Sequence, residues 1–403
     1  MIKVEVSTLL KDPKLGFYLV NNQIHWDKAS ALIAASKDNL KYDDVHWNFN
    51  DDIFANQTWT DEPTGILRDY YFARAKQLRQ KYDYIIINCS GGADSTTALF
   101  AFLDQGLFVD EIIVRYAQQG TKKYGFDLYN LDPSNEHSEF KFAVLPMLDR
   151  VKKLSPRTKI TVHDFSKDLL DDKLYWDENY IFWVGDYLGP GCITRYSHNT
   201  QIESLRNFDK GKSVGLIFGI DKPKVILDNK KFYAYFIDRP THSPLPSTVT
   251  NGWDNIRIEF FYWTPDLPKL VIKQAHEIVR WFSRPENTGL RPILNFIKQS
   301  HPTNRTMYET VIKAIVYTDY DLNTFQANKP TQAVAEEWED WFYKDYANSK
   351  GFNIWKRGLE HIKKTISTEF IKGDFHSPSE FWEYKPMRSK MYFVADLTEP
   401  VKL

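Results

Sequence analysis

Hydrophobic spacing changes period most abruptly at residues 84–103. Ile85, Ile86 and Ile87 form the β-branched run expected of a strand buried on both faces. Ala98, Leu99, Phe102 and Leu103 then recur at helical spacing, and Ser90-Gly91-Gly92-Ala93-Asp94-Ser95 lies between the two patterns. The alternation repeats downstream. Apolar runs at 111–116, 159–163 and 213–219 predict strands, and helical stretches at 136–153, 175–187 and 199–207 separate them. Pro146 should kink or split the first of these helices. Strands alternating with helices predict a parallel sheet with right-handed crossovers, an α/β fold.

The flanks have other rhythms. Residues 16–26 read as a hairpin turning at Asn21-Asn22, and Asp27 is placed to cap a helix through Ala31, Leu32 and Ala35. An irregular stretch, 41–64, carries Tyr42, Trp47, Phe49, Phe54 and Trp59, and a helix over 66–79 leads into the central strand. Arg68, Arg74, Lys76 and Arg79 give that helix a basic side, read as solvated. Beyond residue 230, 231–237 alternates like an exposed or edge strand, and 238–255 is a Pro-, Ser- and Thr-rich linker or substrate loop. A strand is expected at 256–263 and a helix opening on Pro265, with Lys273, His276 and Arg280 on its solvated side. More helices follow at 290–297, 307–317, 334–346 and 355–366. The pattern divides into an aromatic N-terminal extension (1–80), a central α/β domain (81–230) and a mainly helical part (231–403) expected to serve a substrate or partner.

The turn at residues 90–95 narrows the chemistry. Paired glycines allow φ > 0 and let a ligand approach bare backbone. A strand–Gly-Gly–helix turn aims amide N–H groups and a helix N-terminus at one point, which suits phosphate. Ser90, Ser95 and Thr96 add hydroxyls, and Asp94 adds a carboxylate for Mg²⁺. No Lys-Ser/Thr pair follows the glycines, so transfer of a γ-phosphate is the poorer reading. Ligands of such sheets sit beyond the carboxyl ends of the strands. Arg115, Tyr116, Asp164, Asp221 and Lys222 fall at that end, and adenine is expected near the backbone of Asn88 and Arg115.

Ser90 to Ser95 matches the Ser-Gly-Gly-x-Asp-Ser signature of the PP-loop ATP pyrophosphatases. The resemblance implies a Rossmann-like parallel sheet of HUP type and cleavage of ATP between the α- and β-phosphates. Ser90, Gly91, Gly92, Asp94, Ser95, Thr96 and Arg115 are then nucleotide contacts. Asp94 and Asp221 are the candidate Mg²⁺ ligands, and Lys222 is the candidate for charge stabilisation in the transition state. Gly191-Cys192-Ile193-Thr194-Arg195 and Leu216–Asp221 resemble, in order, segments of phosphoadenosine-phosphosulfate reductases and the sulfurylase small subunit. That family's Gly-Ile-Arg and downstream Glu-Ser are replaced here, and its C-terminal Glu-Cys-Gly is absent. The loop is also similar to that of cyano-deazaguanine synthases, whose zinc cysteines are missing. Residue 2 is Ile, not the nucleophilic cysteine of glutamine-dependent asparagine synthetases. The tRNA thiolases generally need paired cysteines. Overall the chain looks like uncharacterised phage-encoded PP-loop proteins, including Tyr82-Asp83-Tyr84 before the loop strand.

Composition trims the alternatives. Among 403 residues, 52 basic and 53 acidic side chains nearly cancel, so no global grip on nucleic acid or an anionic membrane is signalled. Lys356, Arg357, His361, Lys363 and Lys364 make one local basic helix, and Arg388 and Lys390 a basic tail, while 336–341 is acidic. The only cysteines, Cys89 and Cys192, exclude a disulfide framework and a four-cysteine zinc site, and a reducing cytoplasm (the host's, if the protein is viral) is the expected location. The N-terminus has no apolar core of signal-peptide length, and no apolar run is long enough for a membrane span. The expected activity is adenylation of an acceptor oxygen, on a small molecule or nucleobase, with AMP then displaced by a separate amine or sulfur donor. Sulfonucleotide binding or reduction, and a non-catalytic nucleotide-binding module, are the alternatives.

Overall fold

The computed structural model describes residues 12–115, 140–163, 211–238, 255–295, 302–317, 320, 350–372 and 383–397. The helices expected at 175–187, 199–207 and 334–346, the Gly191–Arg195 segment, Tyr116 and Asp164 lie outside them, as does nearly all of the 238–255 linker.

The N-terminal hairpin joins β1 (Phe17–Val20) to β2 (Gln23–His25). Its two turn residues, Asn21 (φ 48°) and Asn22 (φ 63°), adopt the left-handed conformation that two-residue hairpins favour. The Asp27 carboxylate accepts from the Ser30 N–H at 2.7 Å and caps α1 (Lys28–Lys37). β3 (His46–Asn48) adds to β1, α2 (Asp51–Ala55) follows, and α3 (Leu67–Lys81) leads into the central strand.

That strand is β4 (Tyr84–Asn88), and the chain turns at once into α4 (Ala93–Leu103). β5 (Glu111–Arg115) lies beside β4. Beyond it, α5 (Leu145–Leu154) begins with Pro146 in its first turn, where proline costs no hydrogen bond, after one wide turn over Phe140–Val144. β6 (Lys159–His163) completes that wing. The chain then returns to the other side of β4 with β7 (Val214–Phe218). β8 (Lys224–Asp228) and β9 (Lys231–Tyr235) make a hairpin before β10 (Ile256–Phe260) rejoins the main sheet. The order is β10-β7-β4-β5-β6, all parallel. Strand order reverses between β4 and β7, and in parallel sheets the crevice at such a reversal is where ligands lodge.

The sheet therefore runs past residue 230, since β10 belongs to it. α6 (Pro268–Ser283) starts on Pro268 rather than Pro265. Pro285–Asn295 is a 3₁₀ segment, followed by α7 (Pro302–Val316) and α8 (Lys350–Thr365). β11 (Ile371–Lys372) pairs with β12 (Glu383–Tyr384), and β13 (Tyr392–Asp396) pairs with β9. Flanked by β8 and β13, β9 is the middle strand of an antiparallel sheet, not an edge, with Phe232 and Ala234 fully buried.

The aromatics of 41–64 pack rather than line a surface. Phe49, Phe54 and Trp59 meet Phe236, Trp263 and Tyr392 in one buried cluster, with Trp59 and Tyr392 stacked at 4.6 Å. A buried ion pair, Lys28 to Asp238 at 2.8 Å, ties the N-terminal segment to the residues just past β9, and Tyr18 donates to Asp238 at 2.9 Å. Two side chains expected in solvent are buried with partners. Arg74 is 0% exposed and holds Glu259 of β10 at 2.8 Å. Lys273 is buried against Glu62 at 2.5 Å.

Candidate active site

β4 ends at Asn88, and the Cys89 N–H still donates to the Ile113 carbonyl at 2.9 Å, so the ladder holds until the turn begins. Gly91 then takes φ +74°, and a Cβ there would lie 2.9 Å from Val144 Cγ2. Neither constraint admits a side chain. Gly92 is extended and serves as N-cap of α4 without any side-chain cap. The first-turn amides of α4 thus have no side-chain cap, an arrangement that can receive an anion in the field of the helix dipole. Ser95 Oγ accepts from the Ser90 N–H at 3.2 Å and donates to the Gly92 carbonyl at 3.2 Å, so this buried hydroxyl shapes the loop. Ser90, by contrast, is exposed, and its Oγ accepts from the Gly92 N–H at 3.4 Å. The Thr96 hydroxyl lies 3.7 Å from Met147 Sδ.

β7 delivers the second half of the site. Its end approaches α4 so closely that a Cβ on Gly219 would meet the Asp94 backbone at 2.8 Å. Two residues on, Lys222 is 3% exposed, and its ammonium touches Asp221 Oδ1 at 2.8 Å, Glu309 Oε2 at 2.7 Å and Asp94 Oδ1 at 3.3 Å. Lys224, equally buried, reaches Asp221 Oδ2 at 3.3 Å and Glu309 Oε1 at 3.0 Å. Burial alone would drive the Lys222 proton off. The carboxylates of Asp221, Asp94 and Glu309 outweigh it and hold Lys222 well above the ordinary lysine range. Burial likewise pushes Glu309 up, but Lys222 and Lys224 overcome it and leave Glu309 well below the usual carboxylate range. Asp221 is lowered by the same balance.

Of the residues expected at the site, the fold brings together the 90–96 loop, Asp94, Asp221 and Lys222. Arg115 ends β5, its backbone paired with His163. Five participants had not been foreseen. Lys224 and Glu309 are two of them. Tyr317 donates to Asp94 Oδ1, Tyr262 donates to the Asp94 carbonyl at 2.8 Å, and Lys313 stands 3.9 Å from Asp94 Oδ2. Glu309, Lys313 and Tyr317 recur every fourth residue along α7 and its last turn, which puts them on one face. That spacing was visible in the chain; its target was not.

The charge cluster has a pH signature. Carboxylates held below their unfolded values, about 4 for Asp and Glu, stabilise the fold fully above about pH 5, and that contribution drains away as pH falls through their folded values. Wild type should accordingly exceed Glu309→Gln in urea midpoint at pH 7, and the gap should begin to narrow below about pH 4 and close only as pH falls through the folded value. A gap unchanged between pH 7 and pH 3 would show that ion pairing does not hold α7 in place.

Asp221 has both oxygens committed, Oδ1 to Lys222 and Oδ2 to Lys224, whereas Asp94 Oδ2 faces its nearest ammonium beyond hydrogen-bond reach. Among the described residues, no group of three or more His, Cys, Asp or Glu is arranged to cage a metal, and no helix is long and apolar enough to cross a membrane. Comparison with family models, curated proteins and solved structures finds no match.

Proposed function

We propose that this chain is an ATP pyrophosphatase-type enzyme that adenylates an acceptor oxygen. The reading is carried by one juxtaposition: the Ser-Gly-Gly-x-Asp-Ser turn stands at the strand-order reversal with its Asp94 on a buried, charged Lys222. In the proposed step the acceptor oxygen attacks the α-phosphorus, the bond to the β-phosphate oxygen breaks, and pyrophosphate leaves with the electron pair. The amides of the loop and of the first turn of α4 bind the pyrophosphate, and the exposed Ser90 hydroxyl adds a donor. Asp221 and Glu309 keep Lys222 charged, so it can turn from Asp94, its longest contact, to a phosphate oxygen without standing unpaired. An amine or sulfur nucleophile then displaces AMP.

Mg²⁺ bound with the nucleotide would supply charge neutralisation at the leaving group. Asp94 fits that ion as the single protein carboxylate, since Mg²⁺ held by phosphates and waters needs only one or two. Asp221 does not fit, and its part is to hold the two lysines. For sulfonucleotide reduction, Cys89 is no nucleophile, because burial pushes its thiol far above the ordinary range; Cys192 lies outside the described residues.

With α-labelled ATP, Mg²⁺ and a panel of carboxylate, amide and nucleobase acceptors, free pyrophosphate and an α-labelled adenylated acceptor should form, and labelled AMP should accumulate with the pyrophosphate once an amine or sulfur donor is added. ADP and phosphate as the sole products would overturn the proposal.

A further inference from the structure

The ends of β7, β10 and α7 converge on Asp94. Lys222 reaches its Oδ1 at 3.3 Å, and Tyr317, the residue after α7, donates its hydroxyl to the same oxygen. Tyr262, just past β10, donates to the Asp94 carbonyl at 2.8 Å, and Gly219 packs against the Asp94 backbone. Oδ2 is treated differently. Its nearest ammonium, Lys313, stands 3.9 Å away, and the side chain as a whole is 24% exposed. One oxygen is spent on protein donors and the other is not.

Tyr317 is 1% exposed, and its ring lies 5.4 Å from that of Tyr262. Phenylalanine would fill the same space, so what the hydroxyl adds is its bond to Asp94. The support behind it is firm. The Tyr317 N–H donates to the Lys313 carbonyl at 3.0 Å and continues the helical ladder. The Val316 carbonyl accepts from the buried Tyr71 hydroxyl, which itself accepts from Gln274 Nε2 at 3.1 Å. Helices α3 and α6 thus fix the end of α7, and the hydroxyl is presented from the core rather than from a loop. The proposed step gives that bond a task. When Lys222 turns to a phosphate oxygen, Oδ1 loses its cation and keeps Tyr317. An aspartate carboxylate turns easily about χ2, and a donor on one oxygen fixes the direction of the other.

We infer that Tyr317 is a positioning residue: by holding Oδ1 it dedicates Oδ2 of Asp94 to the Mg²⁺ that accompanies the nucleotide. The inference rests on the reading of the loop as a site for Mg²⁺-bound phosphates. Titration calorimetry of the full chain with inorganic tripolyphosphate, once with Mg²⁺ and once with EDTA, tests it without turnover. Wild type should bind in both conditions, and more tightly with Mg²⁺. Tyr317→Phe should lose roughly 10- to 100-fold with Mg²⁺, the scale of removing a group that orients a metal ligand, and should bind the metal-free anion as wild type does. Asp94→Asn should lose the Mg²⁺ enhancement too, and adding Tyr317→Phe to it should change nothing further. Equal affinities of wild type and Tyr317→Phe with Mg²⁺ overturn the assignment. A loss of the same size in EDTA also overturns it, because the hydroxyl would then be shaping the fold or the anion pocket. So does a further loss from Tyr317→Phe in the Asp94→Asn background. If Mg²⁺ brings wild type no gain, the metal role of Asp94 falls and this inference with it, while the phosphate cradle stands. Failure of wild type to bind tripolyphosphate in either condition removes the cradle itself.

Discussion

Lys222→Met should slow AMP formation sharply and weaken the fold together. The substitution keeps the length of the stem but leaves Asp94, Asp221 and Glu309 crowded without the cation that all three touch. Removing one partner from a buried ion pair costs roughly 3–5 kcal/mol. Lys224, which still binds Asp221 and Glu309, should hold the loss toward the lower end. On the chemical side, deleting one group that stabilises developing charge costs on the order of 10²- to 10³-fold in rate. Urea denaturation and AMP release read the two effects separately. In the double variant Lys222→Met/Glu309→Gln the stability losses should fall well short of additive, because the second change removes a charge that the first had stranded. Full additivity would mean that the two side chains do not act on each other.

The second large effect lies away from the loop. Arg74→Ala should cost about 3–5 kcal/mol in unfolding free energy while leaving the turnover of the folded fraction near wild type. The guanidinium is completely buried, binding Glu259 at 2.8 Å, the Phe260 carbonyl at 3.1 Å and Gln77 Oε1 at 2.7 Å. Truncation also empties the space filled by its stem. Glu259 retains Lys81 at 2.6 Å, but that lysine is more than a third exposed and compensates only in part. Arg68, on the same helix, is the control. Its side chain is 52% exposed and 3.8 Å from Asp104, so Arg68→Ala should cost less than about 1 kcal/mol. Equal losses in the two variants would show that burial is not what gives Arg74 its weight.

The contrast between Arg68 and Arg74 also marks where the sequence is legible. A helical pattern says that two arginines lie off the apolar stripe, and nothing in it says that β10 will cover one of them. Local codes were readable: the β-branched run of β4, the glycines that only a sharp turn with φ > 0 requires, the Asn21-Asn22 hairpin and the Asp27 cap. The carboxyl-end placement of Asp221 and Lys222 followed from strand direction alone. What stayed hidden were pairings between distant segments. Glu309 and Tyr317 reach Lys222 and Asp94 from more than eighty and two hundred residues away, respectively. Nor does alternation at 231–237 tell a strand flanked on both sides from one at an edge.

The antiparallel sheet of β8, β9 and β13 is tied to the parallel one by a short tether. Residues 219–223 alone separate β7 from β8. Stretched fully, five residues span at most about 18 Å. Lys222 lies within that tether and Lys224 opens the strand beyond it, so a displacement of one sheet against the other is delivered directly to both ammonium groups. Strand β13, from the last part of the chain, is hydrogen-bonded into the sheet that would have to move. The C-terminal strand is thus joined, through β9 and β8, to the lysine charges beside Asp94, with no contact to the phosphate loop at all.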